Sequence, residues 1–190
     1  MVLTTDRLIM RDFEESDWPA VLGYQSDARY LRYYDWVDRT PAAVQALVGL
    51  FLEQQAATPR IAYQLAITLK ETGQLIGNCG IRLAHAEARQ ADLGYELDPD
   101  HWGYGYAFEA AQAVVAHGFL ALKVHRVWAS CVADNVRSAH LLEKLGLRQE
   151  GRLRENEYYK DRWWDTLLYG LIEDEWRARG SEASFSPDRP

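Results

Sequence analysis

Apolar and polar residues along this chain follow two periods, one typical of strands and one typical of helices. The strand-like runs cover residues 5–13, 61–69, 74–83, 92–97, 124–132, 147–153 and 166–172. The helix-like runs start near residue 17 and then cover residues 41–57, 106–122 and 135–145. This order predicts an α+β fold, with a mixed, mostly antiparallel twisted sheet of about six to seven strands flanked by about four helices.

Several local signals support the ends of these elements. Pro19 and Pro41 each follow a polar capping residue, which is typical of a helix start, and Gly146 follows the last helical run as a stop signal. The short link 70–73 contains a glycine and predicts an antiparallel hairpin. We expect one domain over residues 1–178 and a disordered, Ser- and Pro-containing tail over residues 179–190.

Composition narrows the functional classes. The formal net charge of −7 argues against extended binding to nucleic acid. The longest apolar stretch, residues 110–122, is too short for a bilayer, and the N-terminus lacks a signal-peptide pattern, so we expect a cytoplasmic protein without membrane contact. Cys79 and Cys131 lie within apolar runs, and we expect neither a disulfide nor a metal site.

The junction 98–111 carries the strongest chemical signal. A strand-like run enters it, a helical run leaves it, and Gly103 and Gly105 lie between them. Backbone N–H groups at such a helix start can bind a pyrophosphate, although glycines there are also what a tight turn needs. A dinucleotide fingerprint would require a third glycine where Phe108 stands, and no P-loop lysine follows, so a dinucleotide oxidoreductase is disfavoured.

A set of spaced motifs resembles the GNAT superfamily of acyl-CoA N-acyltransferases, most closely its RimJ/RimL type. The motifs are Trp102-Gly-Tyr-Gly-Tyr-Ala-Phe-Glu-Ala, Val124-His-Arg-Val, Asn135-Val-Arg-Ser138, Leu142-Glu-Lys-Leu-Gly146-Leu and Glu150-Gly151. The resemblance covers nearly the whole chain. It implies a GNAT-like sheet whose central parallel strands splay apart, and acetyl-CoA as the co-substrate.

The resemblance also implies which residues bind the co-substrate. The superfamily's loop usually begins with Gln or Arg, but this chain has Trp102, so backbone groups must hold the phosphates. The implied cofactor-binding residues are Leu97, Trp102, Gly103, Tyr104, Gly105, Tyr106, Ala107, Asn135 and Ser138. Asn135 is either a helix cap, a ligand contact or both. The Ser138 hydroxyl either bonds a carbonyl one turn back or faces the thioester sulfur.

Two residues are candidates for the chemistry. Many superfamily members carry a Tyr general acid where this chain has Leu142, and leucine cannot donate a proton. The RimL-type resemblance implies Ser138 near the leaving thiolate and Glu157 as the general base, unless Glu157 is only a solvated loop carboxylate. Glu155 is the competing base.

The amine acceptor is less well defined. The segment 30–36 is rich in aromatic residues and forms either a packed loop or a wall of the acceptor site. The candidate acceptor-binding residues are Tyr33, Tyr34, Trp36 and Tyr95. We expect acetyl transfer to a protein N-terminus or a small-molecule amine by direct attack in a ternary complex, in a monomer or homodimer. A noncatalytic acyl-CoA sensor is the alternative.

Overall fold

The computed structural model describes residues 1–183, which form eight strands and six α-helices. The strands are β1 (Val2–Thr4), β2 (Leu8–Asp12), β3 (Ala62–Leu69), β4 (Leu75–Leu83), β5 (Gln90–Leu97), β6 (Arg126–Val132), β7 (Arg148–Tyr159) and β8 (Arg162–Ile172). The helices are α1 (Trp18–Gln25), α2 (Ala28–Leu31), α3 (Pro41–Ala56), α4 (Tyr106–Leu120), α5 (Val136–Leu145) and α6 (Glu173–Ala183). The predicted α+β class is confirmed.

All strands belong to one sheet in the order β1-β2-β3-β4-β5-β6-β8-β7. Every neighbouring pair is antiparallel except β5 and β6, which are parallel. Helices α1 to α3 pack on one face of the early strands around Phe13 and Val44, whereas α4 and α5 pack on the opposite face around Ile81 and Leu93. The sheet is therefore covered on both faces in its first half.

Of the helix-end signals predicted from the sequence, those of α3 and α5 are present, whereas Asp17 precedes α1 without a side-chain capping hydrogen bond. Thr40 Oγ1 accepts a hydrogen bond from the Ala43 N–H at 3.2 Å and caps α3. Gly146 ends α5 with a φ of 97°, a left-handed conformation that glycine adopts without steric cost. The predicted hairpin between β3 and β4 is also confirmed.

Several elements differ from the prediction, among them β7, which continues to Tyr159 instead of ending at residue 153, and β8, which starts at Arg162 instead of residue 166. The N-terminal strand starts at Leu8 rather than at residue 5, and the short β1 before it forms a hairpin with it. Helix α2 ends at Leu31, inside the start of the aromatic segment, and α6 carries the chain to Ala183, past the predicted domain end at residue 178. Residues 184–190 of the predicted tail lie outside the described residues. Over residues 1–183, no helix combines the length and apolar character that crossing a bilayer requires.

Candidate active site

The two parallel strands at the centre of the sheet separate soon after they meet. Gln90 to Asp92 of β5 pair with Arg126 to Trp128 of β6, and beyond this point no ladder joins the two strands. Both strands continue, β5 to Leu97 and β6 to Val132. A gap therefore opens between two strands that would otherwise share hydrogen bonds, as the resemblance implied.

The free edge of β5 presents backbone groups to this gap. The Asp98 N–H donates to the Ile76 carbonyl at 2.7 Å, so it points toward β4. Because successive backbone N–H groups alternate in direction along a strand, those of Leu97 and Tyr95 point the other way, toward β6. Leu97 is therefore placed as the sequence predicted, with its N–H directed into the gap.

The loop after β5 forms an open helix start. Gly103 and Gly105 have φ values of 85° and 82°, and α4 begins directly after Gly105 with no side chain capping it. The first N–H groups of a helix have no partner within the helix, so those of Tyr106 and Ala107 remain available. Residues 103–107, predicted as a backbone cradle, thus have the geometry of an anion site, with free N–H groups at a helix start.

Residues outside the predicted set hold this loop in place. Arg7 Nη1 donates to the Tyr104 carbonyl at 2.9 Å, and its guanidinium forms an ion pair with Glu109 on the first turn of α4 at 2.7 Å. Thr5 Oγ1 donates to the same carboxylate at 2.5 Å. Although burial raises the pKa of Glu109, the hydrogen bonds from Thr5 and Arg7 outweigh it and keep that pKa below its usual value. The turn between β1 and β2 therefore braces the cradle.

Two further cations stand beside the loop. The Arg137 guanidinium carbon lies 5.2 Å from the centroid of the Trp102 ring, and the Lys144 ammonium lies 4.4 Å from that of Phe108. Neither side chain has a carboxylate partner among residues 1–179, whose side chains are described. Trp102 carries no charge, but Arg137 and Lys144 of α5 place positive charge beside this loop.

Asn135 and Ser138 open α5 beside the gap. Asn135 Oδ1 accepts the Ser138 N–H at 3.2 Å, which makes Asn135 the helix cap. The Ser138 hydroxyl does not bond a carbonyl one turn back; it lies 2.8 Å from the Tyr95 hydroxyl on β5. Leu142, where the superfamily's tyrosine would stand, is 1% exposed and packs in the apolar core.

A second group of predicted residues lines a cavity of about 390 Å³. Its lining residues are Tyr33, Tyr34, Asp35, Glu157, Tyr158 and Tyr159. Burial raises the pKa of Tyr159 to about 12, and the nearby charges of Glu157 and Asp35 add to this effect. The cavity is therefore aromatic with two carboxylates, which suits a cationic ligand.

Hydrogen bonds connect this cavity to the start of α5. The Tyr33 hydroxyl donates to the Asp134 carbonyl at 3.0 Å, next to Asn135, and the Tyr159 hydroxyl donates to the Tyr33 carbonyl at 3.1 Å. Arg162 also pairs with Asp134 at 2.9 Å. The predicted acceptor residues Tyr33 and Tyr34 and the predicted base Glu157 thus come together, and Tyr33 is hydrogen-bonded to the turn that leads into the helix carrying Ser138.

Glu157 lies in a strand rather than in a loop. It pairs with Trp164 across the β7–β8 hairpin, after an irregularity between Leu153 and Glu157 in which Glu155 has a φ of 52°. Asp165 Oδ1 accepts the Glu155 N–H at 2.8 Å and stabilises this bulge. The Glu157 carboxylate makes no hydrogen bond or ion pair with residues 1–179, whose side chains are described, whereas Glu155 does not line the cavity.

The other two predicted acceptor residues lie elsewhere. Trp36 stacks on Tyr34 with a centroid distance of 4.6 Å and lies behind the cavity wall, with Arg39 above its other face. Tyr95 points to the opposite face of the sheet, toward Ser138. The aromatic segment is therefore partly a packed core element and partly a cavity wall, so both interpretations of its sequence apply.

Glu96 is a site residue that sequence reasoning missed. Its carboxylate accepts hydrogen bonds from the side chains of Tyr24 at 2.6 Å and Gln25 at 2.9 Å, and also from Tyr30 and Asn78. Tyr24, Gln25 and Asn78 donate to Oε1 and Tyr30 donates to Oε2, so both carboxylate oxygens accept hydrogen bonds from the protein. Glu96 thereby links α1 and α2 to β5. The sequence offered one signal for this role: Glu96 directly follows Tyr95 in a strand, so the two side chains lie on opposite faces of the sheet.

In this protein two parallel strands separate, and an uncapped helix start lies at the end of the gap between them. This combination is typical of proteins that bind a phosphate-bearing ligand between two strands. Residues 7–148 match the model of the family described as Acetyltransferase (GNAT) domain. The chain is 31% identical to the uncharacterized N-acetyltransferase YnaD of Bacillus subtilis (strain 168) over 176 residues, covering 93% of this chain and 99% of that one.

Two further proteins are similar over most of their length. The ribosomal protein uS5-alanine N-acetyltransferase of Escherichia coli (strain K12) is 26% identical over 180 residues, 92% of each chain. The crystal structure of a GNAT family acetyltransferase from Bacillus anthracis superposes with a TM-score of 0.80 at 28% identity, covering 92% of this chain and 99% of that one. The chain therefore belongs to the GNAT acetyltransferase family, as an acyl-CoA-dependent N-acetyltransferase of the RimJ/RimL type.

Proposed function

We propose that this protein transfers an acetyl group from acetyl-CoA to a cationic primary amine, by direct attack within a ternary complex. The observation that carries the proposal is the gap between β5 and β6, with an uncapped helix start at one end and the Ser138 hydroxyl beside it. No covalent enzyme intermediate is needed, because the gap lets donor and acceptor approach the same point from opposite faces of the sheet.

The co-substrate would be bound mainly by the backbone. N–H groups from Gly103 to Ala107 would receive the pyrophosphate, and the free edge of β5 would pair with the pantetheine arm. Arg137, which stacks over Trp102, would add positive charge beside the phosphates. This arrangement replaces the Gln or Arg side chain that the superfamily usually carries where this chain has Trp102.

The developing oxyanion needs donors that are already in place. The N–H of Leu97 points into the gap and has lost the strand partner that would otherwise occupy it. A single preorganised donor of this kind contributes about 3 kcal/mol to the stabilisation of a tetrahedral intermediate.

The acceptor would enter the aromatic cavity at the β7–β8 hairpin. Tyrosine faces and the carboxylates of Asp35 and Glu157 favour an amine that arrives as an ammonium. Both a protein N-terminus and a small-molecule amine meet this description. Tyr33 and Tyr34 would contact the acceptor, while Trp36 would support them from behind.

Glu157 is the base that the geometry favours. An ammonium must lose a proton before its nitrogen can attack, so the base needs an unoccupied carboxylate in the acceptor cavity. Glu96 accepts hydrogen bonds on both oxygens, and neither Glu96 nor Glu155 lines the cavity. Glu157 alone among these three combines a place in the cavity with free acceptor sites.

The test is thiol release from acetyl-CoA in the presence of peptides with free or blocked N-termini and of small amines. Glu157→Gln should bind acetyl-CoA normally by calorimetry but lose about 100-fold or more in kcat. Glu155→Gln, a neighbouring exposed carboxylate, is the matched control and should stay active. Normal turnover in Glu157→Gln would overturn the base assignment, and acetyl-CoA binding without thiol release for any amine would favour the sensor.

A further inference from the structure

The hydroxyl of Tyr95 has both of its hydrogen-bond partners on one residue. It lies 2.8 Å from Ser138 Oγ and 3.2 Å from the Ser138 carbonyl oxygen. Tyr95 reaches these atoms from β5, across the interior between the sheet and α5. Because Ser138 is assigned here to the departing sulfur, the inference that follows rests on the proposed function.

The two hydroxyls carry one hydrogen each, so their arrangement is restricted. If Tyr95 donates to the Ser138 carbonyl, the Ser138 hydrogen can return to the Tyr95 oxygen. If Tyr95 donates to Ser138 Oγ instead, the Ser138 hydrogen points away from Tyr95, and the Cys131 thiol of β6 also contacts Ser138. Burial raises the pKa of Tyr95, so its hydroxyl keeps the proton and remains a donor at neutral pH.

The helix itself offers Ser138 no other orienting donor. Leu142 lies one turn further along α5, is 1% exposed and carries no polar atom. The superfamily's phenol would stand at that position. In this chain a phenol approaches the same serine from the neighbouring strand instead.

We infer that Tyr95 is a positioning residue for the acetyl transfer. Its O–H donates to Ser138 Oγ and thereby turns the Ser138 O–H toward the thioester sulfur. Tyr95 does not touch the reacting atoms; it acts through Ser138. This role differs from the acceptor contact that the sequence predicted for it.

The chemical step balances without a proton leaving either hydroxyl. Glu157 takes one proton from the ammonium, and the neutral nitrogen then bonds to the acetyl carbon while the carbonyl electron pair moves to oxygen. The second proton that the nitrogen must lose passes to water. The carbon–sulfur bond then breaks, and its electron pair goes to sulfur. The thiolate accepts the Ser138 hydrogen bond as it leaves, and it takes up a proton from water after release.

The experiment uses the full-length protein with acetyl-CoA and any amine that supports wild-type turnover. Tyr95→Phe keeps the ring and should lower kcat about tenfold with little change in the KM for acetyl-CoA, similar to Ser138→Ala. The double variant should fall no further than Ser138→Ala alone, because the two hydroxyls act as one unit. Tyr169→Phe is the matched control, since its buried hydroxyl also contacts α5, at Glu143 Oε1 (3.4 Å), and should leave kcat unchanged.

The outcomes separate this inference from the function on which it rests. Wild-type inactivity with every amine would remove the proposed function, whereas an active wild type with a fully active Tyr95→Phe would remove only the inference. Additive losses in the double variant would also overturn it. The pH profile of kcat should keep its shape in Tyr95→Phe; loss of an alkaline limb would identify Tyr95 as a proton donor and contradict a purely positioning role.

Discussion

The indole Nε1 of Trp102 donates a hydrogen bond to the carbonyl of Leu97, at 2.8 Å. This bond folds the loop back onto the end of β5 and occupies a carbonyl that faces the gap. Trp102 therefore shapes the cradle through its side-chain N–H, at a position where the superfamily usually has Gln or Arg.

Trp102→Phe should loosen this loop. The substitution keeps an aromatic ring beneath Arg137 but leaves the Leu97 carbonyl without its donor, which costs about 1–3 kcal/mol when the group stays buried. We expect a lower melting temperature and a higher Kd for acetyl-CoA by calorimetry. Unchanged values of both would mean that water replaces the indole.

The conformation of Gly105 allows a second prediction. Any L-residue at its φ of 82° is strained, at a cost of about 1–2 kcal/mol. Gly105→Ala should therefore lower stability and also block the approach of a phosphate to the backbone. Gly73→Ala is the control, because Gly73 has a φ of 72° and lies in the β3–β4 turn. Both variants should lose stability, and only Gly105→Ala should lose affinity for acetyl-CoA.

Arg137 provides a test of the charge near the cradle. Arg137→Ala should raise the KM for acetyl-CoA about tenfold, with a larger effect at low salt, because it removes a cation beside the phosphates. S-acetylpantetheine lacks the nucleotide, so its kcat/KM should be the same for both proteins. Arg177→Ala removes an exposed arginine on α6 and serves as the control. An equal loss with both thioesters would contradict a phosphate role.

The lowered pKa of Glu109 predicts that the free energy of unfolding depends on pH. Its pKa is lower in the folded protein than its usual value, so it contributes stability above the unfolded pKa of about 4.5, and this contribution disappears as the pH falls through the folded pKa. Glu109→Gln should lower the free energy of unfolding at pH 7 by about 1–2 kcal/mol, since Arg7 is half exposed and its pairing is screened.

The measurement is denaturant unfolding of both proteins between pH 3 and pH 7. The two unfolding free energies should converge at the acidic end. A difference that persists at low pH would show that Glu109 contributes through packing rather than through its charge.

The local signals in the sequence predicted the cradle and α5 well. Gly103 and Gly105 were recognisable because left-handed backbone favours glycine, and Asn135 and Gly146 were recognisable because caps act within a few residues. The β7–β8 hairpin was harder. Its turn is made by Lys160 and Asp161, both at positive φ, and this pair is a weaker hairpin signal than the usual glycine-containing one. For this reason Glu157 was expected in a loop.

By itself, the sequence determined the order of the elements, the glycine loop before α4 and the capped helix that carries Ser138, because each depends on neighbouring residues. Only the tertiary structure decided that Tyr95 faces Ser138, that Glu96 accepts hydrogen bonds on both oxygens and that Glu157 lies in an aromatic cavity. These relationships join residues far apart in the chain. They depend on strand order, on a bulge and on which face of the sheet each side chain occupies, and no local pattern specifies all three.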